Sequence, residues 1–301
     1  MHKITPHLWF DTQAKEATAF YVSLFPNSKI ENITVIPDTP SGDCDIVSFK
    51  LAGQDFMAIS AGPIFKLNPS ISFFLNFDPS SDANAKQNLS KTWEKLSVGG
   101  KVLMPLQEYP FSKWYGWIQD KYGVSWQLIL TNPEGDKRPF IVPSLLFVGA
   151  VCGKSEEATE FYMTIFRNSK RGQISRYPKG MEPDKEGSVM FTDFILDGQW
   201  FAAMDSAHKH DFGFNEAVSF IVNCDTQDEI DYYWGKLSAV PESEQCGWLK
   251  DKYGVSWQIV PSMMNELMGS GDVEKTKRVT QAFLKMKKFD IQALKDAGEG
   301  K

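Results

Sequence analysis

Few side chains in this 301-residue chain suit acid–base, nucleophilic or metal chemistry, and they stand far apart. The only histidines are His2, His7, His208 and His210, and Cys44, Cys152, Cys224 and Cys246 form no Cys-x-x-Cys pair. His7 and Trp9 lie two residues apart on what reads as a strand, so their side chains share one face. There His7 is either a general base or lone ligand beside an aromatic wall, or a core-facing imidazole that donates one hydrogen bond. Gln127 and Gln258 each close an identical Ser-Trp-Gln triplet. An amide both donates and accepts, so these glutamines either orient a polar ligand or tie strand to strand. Asp205 reads as a general base at a strand end or as a turn residue, and Ser144 holds the position in the second half that His7 holds in the first. His7 and Asp205 are thus the catalytic candidates, with no catalytic role assigned to either.

The aromatic stretch 108–117, EYPFSKWYGW, adds Tyr109, Phe111, Trp114, Tyr115 and Trp117. These rings either line a pocket for an aromatic or apolar ligand or pack against the other half of the chain. His208 and His210 flank Lys209 in a short insertion that reads as a solvated loop. No Gly-x-Ser-x-Gly elbow, Walker loop, His-Glu-x-x-His helix or paired-carboxylate motif is present.

The elements that must carry these residues follow from an internal repeat. Residues 15–29, KEATAFYVSLFPNSK, match 156–170, EEATEFYMTIFRNSK, at nine of fifteen positions, and 116–129 match 247–260 at ten of fourteen. Between these anchors Phe49, Gly53, Gln54, Ser72, Phe73 and Asn76 answer in order to Phe194, Gly198, Gln199, Ser219, Phe220 and Asn223. The chain therefore divides into a first copy at 1–131, a linker at 132–140 with Pro, Gly and charges, a second copy at 141–262 and a tail at 263–301. In the first copy the patterns predict a strand over 4–10, a helix over 15–25 and strands over 30–37, 45–51 and 55–61. The same order then repeats as a strand over 71–77, a helix over 81–97 and strands over 102–106, 114–119 and 124–130. Ala17, Tyr21, Leu24 and Phe25 form the apolar stripe of the first helix. In the tail, Asp272 is placed to cap a helix over 273–288, with a shorter one after Asp290.

Composition narrows the partners. A net charge of −6 and a pI near 5.4 disfavour nucleic acid, which requires a basic surface. No apolar run approaches the roughly 20 residues of a membrane-spanning helix. The scattered cysteines and the absence of an apolar signal core point to reduced thiols in a cytoplasmic protein.

The segments TPHLWFD, EATAFYVSLFPNS and DKYGVSWQ, together with the tail EKTKRVTQAFLKMKKFDIQALK, resemble the PhnB-like branch of the glyoxalase and bleomycin-resistance superfamily, also called vicinal oxygen chelate proteins. Members of this branch often carry the label 3-demethylubiquinone-9 3-methyltransferase. The resemblance implies an α+β fold of two tandem domains, each of paired βαβββ modules forming an open cup, followed by a C-terminal helical tail. It also implies a covalently joined pseudo-dimer, monomeric or itself a homodimer, that binds a small molecule. Metal-using members place His and Glu or Gln on the first and last strand of each module. Here those positions hold His7, Ser70, Ser144 and Ala217, with Ala58 or Ser60, Gln127, Ala203 or Asp205, and Gln258. No copy presents three good donors, so no metal site is expected. The methyltransferase label implies S-adenosylmethionine, but no glycine-rich strand-to-helix turn followed by an acidic residue accompanies it, and no cofactor is expected. The expected function is binding of an apolar or aromatic molecule, at His7, Trp9, Tyr109, Phe111, Trp114, Tyr115, Gln127, Ser144, Asp205 and Gln258. The alternative is a lyase, isomerase or transferase resting on His7 with Gln127, or on Asp205 with Gln258.

Overall fold

The structure, a computed structural model, describes residues 3–39, 42–132, 137–268 and 272–301. Residues 133–136 of the expected linker and 269–271 of the expected tail lie outside the described residues.

Four modules follow one another along the chain. The first is β1 (Ile4–Phe10), α1 (Ala14–Leu24), β2 (Lys29–Thr39), β3 (Gly42–Leu51) and β4 (Gln54–Ser60). The second is β5 (Ile71–Phe77), α2 (Ala85–Ser97), β6 (Lys101–Tyr109), β7 (Ser112–Gln119) and β8 (Ser125–Leu130). The third is β9 (Ile141–Phe147), α3 (Ser155–Ile165), β10 (Lys170–Arg176), β11 (Val189–Leu196) and β12 (Gln199–Asp205). The fourth is β13 (Val218–Cys224), α4 (Gln227–Leu237), β14 (Trp248–Lys250) and β15 (Ser256–Pro261). The tail holds α5 (Met264–Met268), α6 (Val273–Phe283) and α7 (Ile291–Glu299).

The compact units of the fold cut across the two sequence copies. Unit 1 comprises Met1–Lys66 with Phe214–Lys301, and unit 2 comprises Leu67–Gly213. Strand pairing explains the difference. In unit 1 the sheet order is β14-β15-β13-β1-β4-β3-β2, with β1 antiparallel to β13 and His7 opposite Ser219. In unit 2 the order is β10-β11-β12-β9-β5-β8-β7-β6, with β5 antiparallel to β9 and Ser72 opposite Ser144. Each cup-forming sheet therefore joins a module of one copy to a module of the other.

Local physics accounts for the elements. Alternation in β3 (Val47, Phe49 and Leu51 buried) turns one face to α1, whose Ala14, Ala17, Thr18 and Tyr21 are buried. The helix predicted over 81–97 starts later, at Ala85. Asp78 and Asp82 accept from the backbone N–H groups of Ser80 and Asn84 (both 2.8 Å), which holds the chain in turns before it can wind. The tail helix predicted to reach 288 ends at Phe283. Beyond it, the carbonyls of Met286 and Lys287 accept from the N–H groups of Cys246 and Gly247 (2.8 and 2.7 Å), so this stretch is claimed by a neighbouring strand turn. Gly247 has φ +83, and a Cβ there would lie 2.5 Å from the Phe289 ring, so only glycine fits.

The shared motif DKYGVSWQ has a single physical basis. Asp251 is 1% exposed and accepts from the N–H groups of Tyr253 (2.9 Å) and Val255 (3.0 Å) and from Trp257 Nε1 (2.9 Å). Asp120 does the same with Tyr122 (2.8 Å), Val124 (3.1 Å) and Trp126 Nε1 (2.8 Å). One carboxylate thus closes the hairpin turn and seats the tryptophan against Phe220 or Phe73. Losing it strands three buried donors. Asp251→Ala is expected to cost roughly 3 kcal/mol of stability in urea unfolding, and Asp251→Asn distinctly less.

Candidate functional site

Unit 1 contains a cavity of about 720 Å³. Its floor is the face of the sheet opposite the helices, where His7 and Trp9 of β1, Met57 and Ile59 of β4, Ile221 of β13 and Gln258 of β15 converge. Its walls come from the tail, through Met264, Met268, Phe283 and Phe289. A shallower hollow in the same unit is lined by Asp11, Asp43 and Asp45, but Asp45 is ion-paired to Lys15 at 2.7 Å.

His7 is 4% exposed, and its ring meets Trp248 edge-on at a centroid distance of 5.4 Å. Trp9 touches Trp248 at 6.0 Å and Phe65 at 5.1 Å, and its Nε1 donates to the carbonyl of Gly62 (2.8 Å). Nδ1 of His7 is buried without a hydrogen-bond partner, and burial pushes the imidazole pKa down to about 3. His7 is therefore a neutral wall of the cavity at physiological pH. Gln258 donates through Nε2 to Ser219 Oγ (2.9 Å). Cys246 lines the same cavity on a backbone with φ +52, and burial raises its thiol pKa, keeping it protonated.

The same positions in unit 2 are filled from within. Phe74, Tyr115, Val142, Trp200 and Ala202 form a buried cluster, with Tyr109, Trp117, Phe191 and Met204 packed against it. The Tyr115 hydroxyl donates to Gln127 Oε1 (2.6 Å) while Gln127 Nε2 donates to Ser72 Oγ (2.8 Å). Burial, with a smaller contribution from Tyr109, drives the Tyr115 pKa upward, so its phenol stays protonated. Arg138, within the linker, lies 4.0 Å over the Trp200 ring and pairs with Asp193 at 2.7 Å.

The sequence candidates therefore divide between the units. His7, Trp9 and Gln258 come together in the unit 1 cavity. Gln127, Tyr109, Tyr115 and Ser144 belong to unit 2, and the glutamine that lines the cavity with His7 is Gln258. Phe111 stacks on Tyr109 and is 58% exposed, whereas Trp114 turns toward α2, donating to Ser90 Oγ (3.1 Å) with Lys86 Nζ 4.3 Å over its ring. Ser144 Oγ is buried without a partner. Asp205 is 2% exposed and lies in unit 2, whereas Gln258 belongs to unit 1. It accepts from the N–H groups of Gly153 (2.8 Å), Ser155 (3.2 Å) and Val189 (3.3 Å) and from Ser155 Oγ (2.6 Å). That carboxylate anchors the start of α3, as Ser60 Oγ does for Ala14 of α1 (3.1 Å). Trp248, Cys246, Ile221 and the tail residues were not among the candidates. The aligned pairs Tyr115/Cys246 and Phe74/Ile221 carried the signal, since both are large-to-small changes between otherwise matching stretches.

Neither group that the resemblance implies fits the residues present. A divalent ion at the strand positions of unit 1 would meet His7 and Gln258 with Met57 and Ser219, and Ser219 is already committed to Gln258. Among the described residues no three His, Cys, Asp or Glu side chains cluster to hold a metal. For S-adenosylmethionine, the strand-to-helix turn with two glycines is that of Gly149 and Gly153, and the Asp205 carboxylate occupies its N–H groups. No described helix is long and apolar enough to cross a membrane.

Residues 2–129 and again 139–260 match the family model described as 3-demethylubiquinone-9 3-methyltransferase. No curated protein matches the chain. Among solved structures, a Bacillus cereus PhnB protein provisionally described as a 3-demethylubiquinone-9 3-methyltransferase is 37% identical. That match covers 43% of this chain and 100% of the other, with a TM-score of 0.39. A Staphylococcus aureus protein is 32% identical over 44% of this chain and 98% of its own, with a TM-score of 0.18. Glyoxalase I from Zea mays is 12% identical, covering 86% of this chain and 94% of that one at a TM-score of 0.49.

The buried imidazole makes acid stability a test of this geometry. Unfolded, His7 takes a proton below its ordinary value of 6.5; folded, it refuses one until about 3. Its contribution is complete above pH 6.5 and lost as pH falls through that window, at about 1.4 kcal/mol per pH unit. In His7→Leu, the loss of unfolding free energy between pH 7 and pH 5 is expected to shrink by roughly 2 kcal/mol, measured by urea titration at each pH.

Proposed function

The chain belongs to the 3-demethylubiquinone-9 3-methyltransferase family, the PhnB-like branch of the glyoxalase superfamily, and from that premise we propose that it binds an apolar or aromatic small molecule in the cup of unit 1, without a chelated metal. The observation that carries this reading is the cavity of about 720 Å³, a volume suited to a ligand of modest size, with an apolar wall and a few convergent polar groups. His7, Trp9, Trp248 and Gln258 are its binding residues. Unit 2, packed with its own aromatic side chains, serves as the structural counterpart.

The alternative, a lyase, isomerase or transferase, rests on His7 or Asp205 as its acid–base group. An imidazole whose pKa is near 3 is a feeble base at neutral pH, well away from the range that favours proton transfer. Asp205 has its carboxylate committed to α3 and β11. Binding is the reading these facts favour.

Titration with N-phenyl-1-naphthylamine, a neutral probe that fluoresces in apolar surroundings, tests it. One saturable site per chain is expected. Ile221→Phe, which installs the residue found at the aligned position Phe74, should weaken binding about 10-fold by filling the floor. Absence of a saturable site, or indifference to Ile221→Phe, would remove the proposal.

A further inference from the structure

Resting on the reading of unit 1 as a ligand-binding cup, we infer that its ligand is an uncharged phenol-class molecule whose hydroxyl donates to Gln258 Oε1. The two cups are built from the same parts, and one of them contains its own occupant. In unit 2, Gln127 uses both ends of its amide: Nε2 donates to Ser72 Oγ at 2.8 Å, and Oε1 accepts from the phenol of Tyr115 at 2.6 Å. In unit 1, Gln258 is held in the same way by Ser219 at 2.9 Å, which points its Nε2 at the sheet and leaves Oε1 with no donor among the described residues. Tyr115 is replaced there by Cys246, which stops short, and Phe74 by Ile221. The space and the acceptor that a tyrosine side chain takes up in unit 2 are both open in unit 1.

Charge and the neighbouring tryptophan agree with this assignment. An amide oxygen fixed as an acceptor selects a donor and repels a carboxylate or ketone oxygen. Among the described residues no lysine or arginine lines the cavity to balance an anion; Glu242 does line it, as does Glu216, which pairs with Lys250 at 2.7 Å. In unit 2, Trp117 Nε1 donates to Ser125 Oγ (2.7 Å). In unit 1 the aligned Ser256 Oγ is buried without a partner, and Trp248 meets the rings of His7 and Trp9 instead. That rearrangement turns an indole toward the open cup, where a flat ring can lie against it.

Displacement of N-phenyl-1-naphthylamine by 4-methylphenol, which is the tyrosine side chain, and by its methyl ether 4-methylanisole tests the inference on the full chain. The ether has nearly the same shape and no hydroxyl donor, so it leaves Oε1 buried and unpaired; the phenol is expected to bind about 10-fold more tightly. In Gln258→Leu that ratio should fall to within about 2-fold, the phenol and the ether each being titrated directly by calorimetry. Equal or tighter binding of the ether to the unaltered protein overturns the inference, even if the variant fails to fold, and so does a preference that persists in Gln258→Leu. If the dye itself fails to bind, the cup reading falls with it; if the dye binds without a phenol preference, only this inference is lost.

Discussion

The first strand of every module in this chain has one edge that its own module leaves unpaired. β1 pairs in parallel with β4, β5 with β8, β9 with β12 and β13 with β15, and nothing within the module covers the other side. A bare edge of this length, buried on both faces, would strand backbone donors and acceptors and invite aggregation. The edges are closed by antiparallel pairing between modules of different copies, β1 with β13 and β5 with β9. The sheets of both units depend on that pairing. So does the content of each cup, because His7 from the first copy meets Gln258 from the second only through the β1–β13 ladder.

Once the sheets are joined, the helix-free face of each must be covered, and the two units solve this differently. Unit 2 covers it with Phe74, Tyr115, Phe191 and Trp200, a tyrosine–glutamine hydrogen bond, and an arginine laid over the tryptophan. Unit 1 has smaller side chains at the aligned positions and draws its wall from the tail, which has no equivalent in the first copy. Large aromatic side chains contribute much of a core's burial, so removing them from one cup and retaining them in the other leaves the first open and the second packed. The buried neutral His7 fits that division. It adds a polar edge to an apolar wall, and acid is required before it carries charge.

The four modules, their helices and closing hairpins were legible in the residues because their causes are local. Alternating apolar positions define the strands, a stripe of Ala17 and Tyr21 defines α1, and Asp120 and Asp251 reach only a few residues forward to make the turns they close. Family membership was legible for the same reason, since the matching segments are these local devices. The ends of α2 and α6 were not, because Asp78 and Asp82 compete with helix formation in one case and a distant strand turn claims the carbonyls in the other.

By itself the sequence determined two repeated copies, an α+β architecture and a short roster of residues able to touch a ligand. Only the tertiary structure decided which modules pair, since the opening strands of all four are apolar and backbone hydrogen bonding does not distinguish among them. That choice put His7, Trp9 and Gln258 in one cavity and Gln127, Tyr115 and Ser144 in the other unit. It also decided that Asp205 anchors a helix and that Trp248 faces the cup. These outcomes rest on which groups are left unpaired once non-local strands meet, a quantity that does not exist until the chain has folded.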